Sequence, residues 1–295
     1  FYFFETFQAI GIYALLFSSQ KWDKFIIITF SIYLLIEAII SSTFMNFVAF
    51  ALFLGMFLSF KYKIHTAVKL SIIALGLIFF TIYQSIKDEY REIAWQGNSS
   101  TQENVKALDS LINKETLVNA FNTDIDENES LIYLMRRLNQ GWQTSKVYKR
   151  VPDEVDFEYG LDFLTDVGAS IVPRFFWKDK RIVNDPERFT YYTGFELDGH
   201  ISVNIGVIGD FYLNFGKAGT VIAMFLFGLF VAWLKRFFVV NFVNPNPINL
   251  IWIPFIFSYL IRPGNEFYMV LNHIVKSGYV LIFVFVILYP IITVW

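Results

Sequence analysis

Runs of about 20 apolar residues constrain this chain more than any other feature. Such a run is too greasy to leave in water, and it is long enough to cross the hydrocarbon core of a bilayer as a helix. Seven are visible: Tyr2–Ser19, Phe25–Ser42, Phe44–Phe60, Val68–Ile86, Gly219–Val240, Ile248–Ile261 and Gly278–Trp295. The sixth is short and holds Pro254, which weakens it as a single helix. Composition agrees: 55% of the residues are hydrophobic, 35 are Phe, and only 17% are charged. The expected fold is therefore an all-α polytopic membrane protein. The chain begins at Phe1 and ends within an apolar run, as a piece of a longer polytopic protein would.

Lys and Arg set the expected orientation, because they favour short cytoplasmic loops. Lys21 and Lys24, then Lys61, Lys63 and Lys69, then Lys235 and Arg236, all fall on one side of an alternating path. Lys276 is the exception. The expected organisation is four spans over residues 1–86, an extracytoplasmic segment over 87–218, and three spans over 219–295. The outer segment is too long for a structureless loop. Within it, helical spacing predicts helices over Asn104–Phe121, Glu129–Tyr148 and Leu161–Ile171, the last stopped by Pro173. The stretch from Ile201 to Phe215 is apolar but carries Asp210 and Asn214, four residues apart and so on one helix face. It reads as a re-entrant helix near 203–215, broken at Gly216 and Gly219.

Outside the cytoplasm there is no ATP, so chemistry there needs a substrate that arrives activated, and a lipid carrier is the usual vehicle. A lipid-linked diphosphate needs cations for its phosphates, and the planar fork of Arg suits them. The stretch Ser170–Phe189 supplies Arg174, Lys178, Lys180, Arg181 and Arg188, with Phe175, Phe176 and Trp177 as interfacial aromatics. The bland alternative is a solvated basic loop beside anionic lipid heads. Downstream, Glu196, Asp198 and His200 lie within five positions, and any of them could take a proton from a sugar hydroxyl. His200 titrates near neutrality unaided and is the preferred acceptor. Asp210, costly in an apolar helix, would orient His200 or pair with an Arg. Arg262, Glu266 and His273, assigned to the loop Arg262–Lys276, could close the same cleft.

Other chemistries find no foothold. The absence of Cys excludes thiol nucleophiles and Cys-based metal sites. No zinc-protease, P-loop, serine-hydrolase or dinucleotide motif is present. The triplet Asp124-Ile125-Asp126 and the sequons at Asn98 and Asn128 are short enough to arise by chance. Aromatics interleaved with basic residues suit nucleic acid, but the expected compartment holds none. Neither a metal nor a cofactor is expected.

Two stretches are familiar: "LMRRLNQGWQTSKVYKRVPDEVDFEYGLDFLTDVGASIVPRFFWKDK" and "SVNIGVIGDFYLNFGKAGTVIAMFLFGLF". Over about Leu134–Phe230 they resemble the bacterial oligosaccharide repeat-unit polymerases of the O-antigen polymerase type. Arg188 to Gly199 also fits that family's spacing of Arg, ten residues, Gly. Arg181 departs from it, standing where the family tends to have Pro. The resemblance implies a multi-pass enzyme of the bacterial inner membrane, related to lipid-carrier glycosyltransferases and O-antigen ligases. Such an enzyme joins undecaprenyl-diphosphate-linked oligosaccharide units at the periplasmic face, alongside a chain-length regulator and a flippase. The expected catalytic set is His200, Asp210 and Glu196. The expected substrate-binding set is Arg174, Lys180, Arg188, Trp177 and Arg262. A ligase moving a finished glycan shares the donor chemistry. A transporter or flippase of lipid-linked sugars would instead favour a two-fold repeat and charges at the midplane, and neither is evident.

Overall fold

The computed structural model describes residues 2–18, 20–41, 44–94, 101–112, 141–183, 185–196, 204–244, 246–262 and 264–288. They are helical, with no strand among them. Four helices are long and apolar enough to cross a membrane: Asp23–Ser41, Thr66–Lys87, Val207–Val243 and Phe267–Val286. The chain divides into two compact units, Phe1–Asn139 and Gln140–Trp295.

The first unit contains α1 (Tyr2–Leu15), α2 (Asp23–Ser41), α3 (Phe44–Lys61), α4 (Thr66–Ala94) and α5 (Thr101–Leu111). The C-terminal ends of α1 and α2 are closed by side chains. The hydroxyls of Tyr83 and Tyr90 donate to the carbonyls of Ile39 and Ile40 at the end of α2, and the Lys61 ammonium donates to Leu16 beyond α1. The last carbonyls of a helix lack intrahelical donors, and an apolar medium makes such substitutes necessary. Phe44, Tyr83 and Ile86 form a core against which Leu108 and Leu111 of α5 pack.

The second unit contains α6 (Gly141–Arg150), α7 (Leu161–Ile171), α8 (Pro186–Thr193), α9 (Val207–Phe238), a 3-10 helix (Pro247–Trp252), α10 (Ile253–Phe257) and α11 (Phe267–Ile282). Its core gathers Val147, Val151, Phe189, Tyr192, Ile205, Tyr212 and Leu213. Asp185 caps α8 by accepting from the backbone N–H groups of Glu187 and Arg188, with Pro186 at the first helical position. α7 has the bounds that periodicity predicted.

α9 breaks at Gly216, where φ is 65° and ψ is −172°. That region is nearly closed to residues with a Cβ. The break therefore falls at the first of the two expected glycines, and the helix continues through Gly219. The sixth apolar run is not one helix: a 3-10 turn leads into a short α-helix that carries Pro254 in its first turn.

The final span differs most from expectation. α11 starts at Phe267, so His273 and Lys276 are helical and Glu266 is the residue preceding the first turn. Polar Asn272, His273 and Lys276 interrupt the run and mask the helix in the sequence. Asn272 and His273 are nevertheless buried inside the unit, which leaves the exposed face of the helix largely apolar.

A buried guanidinium–carboxylate node as the candidate functional site

α7, α8, α9 and α11 bring six charged side chains together. α7 supplies Asp162 and Asp166, four residues apart and hence on one face. The turn after α7 supplies Arg181, and α8 supplies Arg188. Asp210 comes from the first turn of α9, and Glu266 precedes α11. Arg188 Nη2 donates to Asp162 Oδ2 at 2.7 Å and to Asp210 Oδ1 at 2.8 Å, while its Nη1 lies 3.5 Å from Glu266 Oε1. Arg181 Nη1 meets Asp166 at 3.0 Å and Asp162 at 3.4 Å, and its Nη2 donates to Glu266. The other oxygen of Asp210 accepts the backbone N–H of Phe267 at 2.8 Å. One carboxylate thus joins the beginnings of two span-long helices.

The node is almost dry. Side-chain exposure is 1% for Glu266, 3% for Asp166 and Asp210, 8% for Arg188 and 11% for Arg181, but 19% for Asp162. Asp162 is the carboxylate that faces outward. Four carboxylates meet two guanidiniums, so the node cannot be fully ionised and balanced at once. Burial pushes Asp166 up to about 8, although Arg181 pulls it down, because Asp162 and Asp210 push it further up. Burial and Asp210 likewise raise Glu266. Burial would lower Arg188, but Asp210, Glu266 and Asp162 outweigh it and hold the guanidinium firmly charged. The node therefore retains protons that free carboxylates would release.

This gives a pH dependence of stability. Asp166 and Glu266 have folded pKa values above their unfolded ones, so folding takes up protons between the two values. Their contribution is complete below about pH 4, the ordinary carboxylate value, and falls as pH rises through the folded pKa. The purified protein should unfold at a lower temperature at pH 8 than at pH 5. Asp166→Asn, which mimics the protonated carboxyl, should reduce that difference; an unchanged slope in Asp166→Asn would place the protons elsewhere.

Of the expected site residues, only Arg188 and Asp210 belong to the node. Both oxygens of Asp210 are engaged, and its Arg partner is Arg188. Lys180 is buried, with its ammonium donating to the carbonyls of Ala169 and Val172 at 2.7 Å each. Arg174 is exposed and donates to the Arg181 carbonyl at 3.3 Å. Trp177 lies beside Gly168 on α7. Arg262 stands over the Tyr259 ring at 5.0 Å. Glu196 is exposed past the end of α8. His200, with Asp198, lies outside the described residues, as do Asp124, Asp126 and the two sequon asparagines. Glu266 does reach the site, but from a helix start rather than a loop. His273 contacts Ser258 and the Phe255 carbonyl instead.

Sequence reasoning missed Asp162, Asp166 and the role of Arg181. A signal for the first two was present: two carboxylates at i and i+4 in an otherwise apolar helix, the same pattern that drew attention to Asp210 and Asn214. Arg181 stood out as one of the phosphate-suited cations and as a departure from the O-antigen polymerase pattern, not as a partner of buried carboxylates.

A family model described as "Domain of unknown function (DUF8712)" matches residues 3–294. No curated protein and no solved structure matches the chain.

Proposed function

The chain belongs to that family of unknown function, and on its own geometry we propose that it is a membrane-embedded glycosyltransferase that extends a glycan carried on a lipid diphosphate. The observation that carries this reading is the node: two guanidiniums and four carboxylates, nearly dry, where two span-long helices begin. Buried charge beside a membrane is costly and usually functional. Arg174 and Lys178 after α7 and Lys276 on α11 are exposed cations with no carboxylate partner among the described residues, and Arg174 touches the node through the Arg181 carbonyl. They suit a diphosphate, and the resemblance to repeat-unit polymerases supplies the undecaprenyl carrier and the periplasmic face of a bacterial inner membrane.

In this reading the acceptor's hydroxyl oxygen attacks the anomeric carbon of the donor sugar. The bond from that carbon to the diphosphate breaks, and the lipid diphosphate leaves with the electron pair. Arg174, Lys178 and Lys276 stabilise the charge that develops on it. Asp162, the outward-facing carboxylate, accepts the hydroxyl proton. Arg181 and Arg188 hold Asp162 in place, and Asp166, Asp210 and Glu266 fix the two guanidiniums. His200 remains a rival acceptor by its chemistry alone. Most of the rate comes from positioning, because a diphosphate already leaves readily.

The reading requires the node to face away from the cytoplasm. Lys235 and Arg236 lie in the last turn of α9, at the opposite end of that helix from Asp210, as the cytoplasmic preference of basic residues demands. Single cysteines can be placed at Lys63, Lys106 and Lys235 in the Cys-free chain. A membrane-impermeant thiol reagent applied to intact cells should label Lys106→Cys and spare the other two; labelling at Lys63→Cys or Lys235→Cys without labelling at Lys106→Cys would invert the topology and remove the periplasmic assignment.

A further inference from the structure

α7 is built inside out. At 100° per residue, positions 161, 164, 168 and 171 share one face. On that face Leu161 is 69% exposed, Leu164 67% and Ile171 50%, while Asp166, Ala169 and Ser170 on the other side are buried. A helix lying on a protein in water shows the reverse pattern. Charges turned inward and apolar residues turned outward are the arrangement of a helix in lipid.

The end of α7 carries the same signature. The carbonyl of Gly168 accepts from the Val172 N–H at 2.9 Å, those of Ala169 and Val172 accept from Lys180 Nζ, and that of Ile171 accepts from the Tyr279 hydroxyl at 3.0 Å. Terminal carbonyls exposed to water need no such donors, whereas in hydrocarbon each unsatisfied one costs several kcal/mol. Lys180 buries a long charged side chain for this purpose. Past the capped end come Pro173, then Phe175 and Phe176, which are 82% and 77% exposed and stacked edge to face.

Tyr279 fixes the level of that end. It lies twelve residues beyond the start of the candidate span Phe267–Val286, or about 18 Å along its axis at 1.5 Å per residue. α7 runs beside this part of α11, from the Phe163–Phe267 ring stack at one end to Tyr279 at the other. Its exposed apolar face therefore adjoins a helix that is apolar and long enough to cross a bilayer.

We propose that residues 161–177 form a re-entrant hairpin seated in the leaflet on the node's side, with Leu161, Leu164, Ile171, Phe175 and Phe176 against lipid acyl chains. The Arg174 guanidinium donates to the carbonyl of Arg181, a residue of the node. Part of the segment assigned to the aqueous side at 87–218 is then membrane, and Asp162 opens at the lipid boundary. The inference requires no glycan chemistry and can stand if that reading fails.

The test is a depth measurement on the full chain in phosphatidylcholine–phosphatidylglycerol vesicles. Nitroxide labels are placed on single cysteines at Leu164, Ile171 and Phe175, with Phe225→Cys on α9 as the lipid reference and Glu187→Cys on α8 as the aqueous one. Both reference positions are exposed. Collision rates are read with oxygen, which concentrates in lipid, and with a nickel chelate, which stays in water. The three labels should match Phe225→Cys, with a high oxygen-to-nickel ratio. Ratios matching Glu187→Cys would overturn the hairpin. Slow motion with few collisions by either reagent would also overturn it, because that result identifies a protein partner on this face.

Discussion

Arg188→Ala is expected to destabilise the protein by about 3–5 kcal/mol, the usual cost of removing one partner from a buried ion pair. The substitution leaves Asp162, Asp210 and Glu266 facing one another, with Arg181 able to engage only part of their charge. Protons must then bind where Arg188 stood, so the loss should be larger at pH 8 than at pH 5. Arg188→Lys keeps the charge but not the fork that reaches Asp162 and Asp210 together, and should fall between wild type and Ala. Adding Asp210→Asn to Arg188→Ala should recover part of the loss, because a neutral amide tolerates burial better than an unpaired carboxylate. Unfolding in detergent micelles, followed by tryptophan fluorescence, measures all four proteins. An Arg188→Ala protein as stable as wild type would mean that the node does not hold the second unit together.

Asp162→Asn should do the opposite: leave the fold intact and cut turnover steeply. The amide oxygen of Asn can still accept from Arg188 and Arg181, so the ties among α7, α8 and the turn between them persist. The basic oxygen is lost. A positioned general base is worth about 10²- to 10⁴-fold, and kcat should fall by that factor while KM for the donor changes little. Asp166→Asn touches the same guanidinium from a buried position, and should cost less because it removes no group that meets substrate. Equal losses in the two variants would recast Asp162 as another positioning residue.

The sequence carries local features of this protein far better than its site. Apolar runs locate helices because burying or solvating a backbone in lipid leaves few alternatives to a helix. α7 is bounded by Gly160 and Pro173, and α9 breaks where a glycine tolerates positive φ. Those are short-range facts. The node is assembled from residues 22, 26 and 85 positions apart, and no periodicity reports such pairings. Asp210 was visible as a costly residue and Arg188 as a phosphate-suited cation, but their mutual pairing was not. Glu266 was obscured because Asn272, His273 and Lys276 hide the start of α11, so it read as a loop residue. The cations that follow α7 illustrate the same limit. Lys180 looks like Arg174 and Lys178 in the sequence, yet it caps a helix and they are exposed.

The proposed function rests on the node, and one assay reaches it directly. The purified chain in vesicles is given undecaprenyl-diphosphate-linked oligosaccharide, and products are separated by length. Wild type is expected to give a ladder of extended glycans, and Asp162→Asn to leave the units unextended while still binding the lipid-linked donor. A ladder from Asp162→Asn equal to that of wild type would contradict the role of the node. Wild-type protein that binds the donor but never joins two units would contradict polymerisation itself.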